Sequence, residues 1–338
     1  MWIRPGFQVY WRGPGETQIG LDPRSGMVLN GLSPAEQRLL DRLPHCFDVA
    51  EVRLHGRELG LAERAVDALL GRLRQRGYVL DGEPPALHPT LQTDPDEAYW
   101  YRAGLAGHER AADRAEATVG IRGLNALALR LGCALVDAGV GMLGITDGTR
   151  VRRTDVGAGL YRSSDIGKPR QDAALSVLRS VQPKARVVPR VTKHADVVVL
   201  LQSGVADPVA YRDLVRHDVC HLPVVVRDLD VMIGPLVRPG IGPCLRCLDL
   251  HRCEEDPRWP AVAAQAATKD APAPETSLAW LGAALTAHQI LALIDGRGVE
   301  TDGSSLHITA WGAVPVRRVW EPHPQCGCTP VALSAEAS

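Results

Sequence analysis

Two close cysteine pairs carry the clearest chemistry in this sequence: Gly242-Pro243-Cys244-Leu245-Arg246-Cys247 and Pro324-Gln325-Cys326-Gly327-Cys328. Four thiolates at such short spacings are the donor set of a tetrahedral zinc site. With all four positions filled by protein, the site would be structural rather than catalytic. Cys244, Cys247, Cys326 and Cys328 are therefore the expected metal ligands, and they would tie the end of the chain to a distant upstream loop. The alternative is four buried free thiols. Cys46, Cys133, Cys220 and Cys253 have no such partners and read as packing residues.

A second pattern lies at a strand-to-helix turn, Val119-Gly120-Ile121-Arg122-Gly123-Leu124-Asn125-Ala126. Ala138-Gly139-Val140-Gly141 follows, and Asp147 stands at the end of the next strand. In outline this is a Rossmann-type nucleotide site, with Gly120 and Gly123 in the turn and Asp147 as the ribose-binding acid. Glycines are needed there so that backbone amides can approach phosphates at a helix N-terminus. Arg122 and Asn125 stand where two of those glycines belong, and a bulky Arg122 is expected to crowd the phosphate path.

The elements that must position these residues follow from periodicity. Short β-prone runs at 7–11, 18–21 and 27–30 are separated by turn clusters and predict a small antiparallel sheet. Ser33, with Pro34 next and Glu36 three residues on, opens a helix to about Arg42. A second helix is expected over 47–55 and a third from Leu61 to Arg76, with Tyr78-Val79-Leu80 returning as a strand. Sheet, helices and closing strand make a winged-helix-like module over 1–90, and Pro84, Pro85 and Pro89 mark a linker. In a second domain over 91–338 a helix from about 97 opens an alternation of helices and strands, which predicts a parallel sheet with crossover helices. Strands are expected at 117–121, 141–147, 196–201, 223–226, 305–310 and 314–319, and helices at 124–138, 169–181 and 276–294. A loop-rich stretch is expected at 238–276.

The 338 residues suit two domains. With 45% hydrophobic and 23% charged residues and a formal net charge of -1, neither bulk nucleic-acid binding nor disorder is expected. The N-terminus lacks an apolar signal core, and no uninterrupted apolar run is long enough for a membrane span, so a cytoplasmic location is expected.

The order of these pieces resembles the ThiF, MoeB and ubiquitin-activating family, which adenylates a C-terminal carboxylate with ATP. The matching segments are Gly120 to Asn125, Ala138 to Gly141, Asp147 and Gly167-Lys168-Pro169-Arg170. The resemblance implies a ThiF-like α/β domain and adds Lys168 and Arg170 to the vestigial nucleotide residues Gly120, Gly123 and Asp147. The family's downstream Asn and Arg fall on Asp155 and Ala158, and its magnesium-binding aspartate falls near Gln202 and Ser203, with Asp207 a little beyond. ATP is therefore not expected as a cofactor, no catalytic residue is assigned, and the domain is expected to be a pseudoenzyme.

One branch of that family joins such a domain to a winged-helix module resembling PqqD, the recognition element of ribosomal peptide pathways. It implies a scaffold that binds a precursor's leader peptide and presents its core to a YcaO-type cyclodehydratase for thiazole or oxazole formation. The leader would add a strand at Met27, Val28 and Leu29 and fill a groove beside Val66, Leu70 and Leu73. Relatives with this α/β domain commonly dimerise. Three rival functions are an active adenylyltransferase, a DNA-binding winged-helix regulator and a nicotinamide oxidoreductase. Residues 1–90 hold eleven arginines and eleven acids, which argues against the DNA-binding rival.

Overall fold

The computed structural model describes residues 1–4, 6–82, 96, 99–100, 103, 107–157, 159–183, 185–269 and 273–328. The chain divides into two compact units, Met1–Ala112 and Asp113–Ser338. Pro84, Pro85 and Pro89, and residue 90 where the domain boundary is expected, lie outside the described residues.

The first unit contains strands β1 (Trp2–Ile3), β2 (Val9–Gly13), β3 (Glu16–Ile19) and β4 (Met27–Leu29), helices α1 (Pro34–Arg42), α2 (Val49–Glu58) and α3 (Glu63–Gln75), and strand β5 (Val79–Leu80). β2, β3 and β4 form an antiparallel meander, while β5 pairs with β1 at the N-terminus rather than with that sheet. Ser33 and Glu36 cap α1 reciprocally, the Ser33 hydroxyl accepting from the Glu36 amide and the Ser33 amide donating to the Glu36 carboxylate at 2.7 Å. Gln37, one turn on, clasps the β2–β3 turn. Its amide nitrogen donates to the Gly13 and Glu16 carbonyls at 3.0 and 2.9 Å, and its oxygen accepts from the Gly15 amide. Ile19, Leu29, Leu39, Leu40, Leu69 and Leu73 pack between sheet and helices. Each contributes about 1.5–3 kcal/mol by burial.

The second unit is built on strands in which hydrophobic runs are buried on both faces, as a parallel sheet covered by helices requires. Helix α4 (Gly107–Glu116) leads into β6 (Thr118–Arg122), α5 (Ala126–Asp137), β7 (Met142–Thr146), α6 (Arg170–Val181), β8 (Arg186–Val188), β9 (Val197–Ser203), α7 (Pro208–Arg216), β10 (His221–Val226) and β11 (Asp230–Ile233). Helices α8 (Leu245–Glu255), α9 (Trp259–Ala266) and α10 (Thr276–Ile294) and strands β12 (Ser304–Thr309) and β13 (Gly312–Val319) follow. Among the described residues the sheet has eight strands in the order β13-β12-β11-β10-β9-β6-β7-β8. From β8 to β10 all neighbours are parallel, and β11 to β13 extend the sheet antiparallel. The chain runs outward through β6, β7 and β8 and then returns to lay β9 beside β6, so strand order reverses between β6 and β9. Open α/β sheets form their ligand crevice at such a point.

The stretch expected to be loop-rich, 238–276, contains α8 and α9. In α8 only Leu245, Cys247 and Leu248 are buried, all in its first turn, so no apolar period runs along its length. β8 and β11 were also not expected from the sequence, being only three and four residues long. Helix α10 is long and apolar enough to cross a membrane by length and composition. In this fold Leu278, Ala279, Ala283 and Ile290 along it are core residues together with Leu127 of α5.

Candidate functional site

At the reversal between β6 and β9 lies a cavity of about 230 Å³, lined by Gly123 to Ala126, Asp147, Thr149, Arg170 and the β9 end Leu201-Gln202-Ser203, among others. Ligand pockets typically enclose about 300–1,000 Å³. Gly123 turns the chain out of β6 with φ of +89°, and a Cβ there would lie 2.6 Å from the Leu201 carbonyl oxygen, so both backbone and space demand glycine. Gly120 serves packing instead. It is inside β6, where a Cβ would press on Val191, and it is not among the residues lining the cavity.

The turn's polar groups are held by the protein's own side chains. The Leu124 amide donates to Asp147 Oδ2 at 2.6 Å, and the Leu124 carbonyl accepts from the Tyr161 hydroxyl at 2.7 Å. Burial of Tyr161 drives its pKa up, keeping that hydroxyl a donor. Asn125 is the N-cap of α5, its side-chain oxygen accepting from the Ala128 amide at 3.0 Å. The other Asp147 oxygen accepts from the amide and hydroxyl of Thr149, at 2.7 and 2.6 Å. Asp147 thus points into the turn that phosphates would occupy, and both its oxygens are engaged.

Arg170 stands beside it with its side chain mostly buried. Its guanidinium reaches Asp155 Oδ2 at 2.7 Å, the Thr149 hydroxyl at 2.9 Å and Asp147 Oδ2 at 3.7 Å. The structure therefore brings together Gly123, Asp147 and Arg170 of the expected nucleotide residues, and leaves out Gly120 and Lys168. Lys168 pairs with Asp165 and lines a separate surface hollow with Gly157, Leu160 and Ser176. The crowding expected from Arg122 is also corrected: its guanidinium turns toward α7, donating to Asp213 at 2.8 and 3.0 Å and to the Ala210 carbonyl. That pairing holds the Asp213 carboxyl below the usual carboxylate range. Asp207 caps α7 by accepting from the Val209 amide and is not among the cavity-lining residues. Ala158 lies outside the described residues. Gln202 and Ser203 do line the cavity, and Gln202 Oε1 is buried without a hydrogen-bond partner among the described residues. Among the described lining residues Asp147 and Asp155 are the acids, and both are within ion-pair distance of Arg170.

Sequence reasoning passed over Thr149 and Tyr161. Asp147-Gly148-Thr149 is a readable Asx-turn signature, whereas Tyr161 meets Leu124 only through the fold.

The four cysteines come together from two segments. Cys244 is the N-cap of α8 and Cys247 lies in its first turn, while Gly327, with φ of +67°, bends Cys326 and Cys328 toward them. Their sulfurs all lie within 4.8 Å of one another, with Cys244 to Cys326 at 3.4 Å, Cys247 to Cys328 at 3.3 Å and Cys244 to Cys247 at 3.9 Å. A tetrahedron of metal–sulfur bonds near 2.3 Å has edges of about 3.8 Å, so the donor set fits a tetrahedral thiolate-bound metal. Further along α8, His251 and Glu254 gather with His323. His323 Nδ1 accepts from the Gln325 amide at 3.1 Å, which leaves the proton on Nε2, 2.9 Å from Glu254. That trio is hydrogen-bonded within itself through His323 and Glu254.

In the first unit, Leu29, Val66, Leu70 and Leu73 are core residues, none more than 7% exposed. They support the unit from inside and do not form the wall of an open groove. Met27 is partly buried against the same core, and Val28, at 42% exposure, is the member of the expected set that faces outward.

Residues 99–220 match the ThiF family model. No curated protein matches by sequence. Among solved structures, E. coli MccB with succinimide superimposes with a TM-score of 0.69 at 14% identity, over 97% of this chain and 100% of that one. E. coli MccB with ATP gives 0.67 at 13% identity, over 97% and 98%. PaaA gives 0.70 at 13% identity, over 94% and 99%. The chain thus contains a segment similar to the ThiF family and shares its fold with MccB and PaaA.

Proposed function

We propose that this chain is a peptide-binding scaffold of a ribosomal peptide pathway, whose ThiF-family domain has given up adenylation. Its N-terminal unit would act as a winged-helix-like leader-recognition module of about the first 90 residues. The larger domain would carry a structural zinc on Cys244, Cys247, Cys326 and Cys328, which would supply cross-linking of two segments and no chemistry. A YcaO-type cyclodehydratase would act on the presented peptide and consume the ATP.

The observation that carries the loss of adenylation is the occupied turn. Asp147 and Asn125 take amides of Leu124 and Ala128, and Arg170 lies among Asp147, Thr149 and Asp155. A transferring phosphoryl or nucleotidyl group needs preorganised donors aimed at its developing charge and a carboxylate for its magnesium. Here the donors serve internal acceptors, and the β9 end offers Gln202 and Ser203. Peptide binding draws support from structures of the same fold, in which the microcin C7 biosynthetic enzyme MccB is in complex with N-formylated MccA. Among the described residues β4 pairs with β3 alone and turns Val28 outward, which supports strand addition at that edge.

A second reading, an active adenylyltransferase, is favoured by the structure of MccB with ATP. ATP–pyrophosphate exchange by the purified full chain separates the two, since a scaffold gives none above background with any peptide present. The scaffold reading also requires a YcaO-type enzyme and a short Cys/Ser/Thr-rich peptide from neighbouring genes. Together with this chain they should remove one water per azoline formed, and omission of the chain should stop the reaction. Robust exchange, or undiminished ring formation without the chain, would rule the scaffold out.

A further inference from the structure

The first unit holds a second concave site that the strand-addition reading does not use. It is a cavity of about 550 Å³ whose lining includes Arg4, Phe7, Tyr10, Tyr78, Tyr99 and Trp100, within the range of ligand pockets. Phe7 meets Tyr78 edge to face at 5.1 Å, and Tyr99 meets Trp100 likewise at 5.0 Å. The Tyr78 hydroxyl is fixed by donating to the Ser25 carbonyl at 2.7 Å.

Arg4 is the unusual member. It is only 5% exposed, its guanidinium lies 4.3 Å over the Tyr78 ring, and its Nε has no hydrogen-bond partner among the described residues. Asp22, the acid among the described lining residues, is engaged by Arg24, with Nη2 to Oδ2 at 2.6 Å. A buried guanidinium that faces aromatic rings and, among the described residues, no paired carboxylate is costly, because desolvation is repaid only by a paired and hydrogen-bonded anion. Burial accordingly holds the Arg4 pKa below the ordinary arginine value.

We propose that this cavity is an acidic-residue subsite of the peptide-binding module: one Asp or Glu side chain of the bound peptide places its carboxylate on Arg4, and the adjoining peptide residue packs on the aromatic wall. The inference rests on the peptide-binding reading above and adds to it a sequence preference and the residue that sets it. The guanidinium offers the carboxylate paired donors in a fixed plane. The rings fit an apolar or aromatic neighbour and exclude water from the ion pair.

The test begins with selection by the full-length chain from a displayed library of random twelve-residue peptides. Enriched sequences are then synthesised with amidated C-termini, each paired with its Glu→Gln or Asp→Asn analogue, so that only a side-chain carboxylate distinguishes the two. The expected result is one recurrent acid beside an apolar residue, with affinity for the acidic member about tenfold or more above its amide analogue. In Arg4→Met that ratio should fall to about one while the amide analogue binds as it does to the wild type. Should Arg4→Met fail to fold, Arg4→Lys carries the same comparison, and its ratio should drop severalfold because an ammonium lacks paired donors. Enrichment without an acid, or a ratio unchanged in the folded Arg4 variants, would overturn this subsite and leave peptide binding standing. Failure to enrich any peptide would overturn both.

Discussion

Asp147 at the end of β7 accepts a hydrogen bond from the amide of Leu124, 2.6 Å away in the turn after β6. Asp147 thereby closes the turn between β6 and α5, and it links the two strands on one side of the cavity.

Removing that carboxylate should therefore be felt as lost stability. Asp147→Ala leaves the Leu124 and Thr149 donors without their acceptor. Thr149 is exposed and its donors can turn to water, whereas the buried Leu124 amide is left unsatisfied at a cost of about 1–3 kcal/mol, so a loss of that size is expected. Urea unfolding followed by circular dichroism would measure it as a lower midpoint at unchanged slope.

Metal removal gives a second outcome. Purified protein should contain one zinc per chain by mass spectrometry of the metal, and Cys247→Ser should abolish it. Hydrogen exchange should then quicken in 242–247 and 323–328, the segments that the sulfurs join, while β6 and β9 keep their protection.

The buried pair Arg114–Asp295 makes a third. Arg114 donates to both Asp295 oxygens at 2.8 and 2.9 Å, and both side chains are almost fully buried. Asp295→Asn should cost about 3–5 kcal/mol by neutralising the carboxylate that Arg114 and Arg297 both engage, whereas replacing Arg114 and Asp295 together by apolar residues should cost less than the single change. Thermal unfolding of the two variants beside the wild type would decide.

Acid unfolding provides the fourth. The hydrogen bond from Arg122 lowers the Asp213 pKa in the folded chain. Its stabilisation is then complete above the ordinary carboxylate pKa and fades as pH falls through the lowered folded value. Stability curves of the wild type and Asp213→Asn should be separated near neutral pH and converge under acid. The separation is small, because Asp213 is half exposed. Parallel curves across the whole range would contradict the assignment.

Much of the site was legible from local chemistry. Asp147 followed from its place at a strand end, Gly123 from a glycine-bearing turn between strand and helix, and the cysteines from spacing alone. The side on which Arg122 lies was not legible, because α7 reaches it only after the chain has crossed to β8 and returned through β9. Periodicity placed Val66, Leu70 and Leu73 on one face of α3. It could not tell whether that face meets a groove or the core, since either burial demands the same apolar spacing.

The sequence by itself determined the alternation of strands and helices, the capped start of α1 and the two cysteine pairs, because each depends on residues within a turn or two of one another. Only the tertiary structure decided which donors remain available. Leu124 meets Asp147 and Tyr161, and Arg4 meets the Tyr78 ring, across separations of 23 to 74 residues, and which groups satisfy one another at such range is set by sheet order and not by local preference.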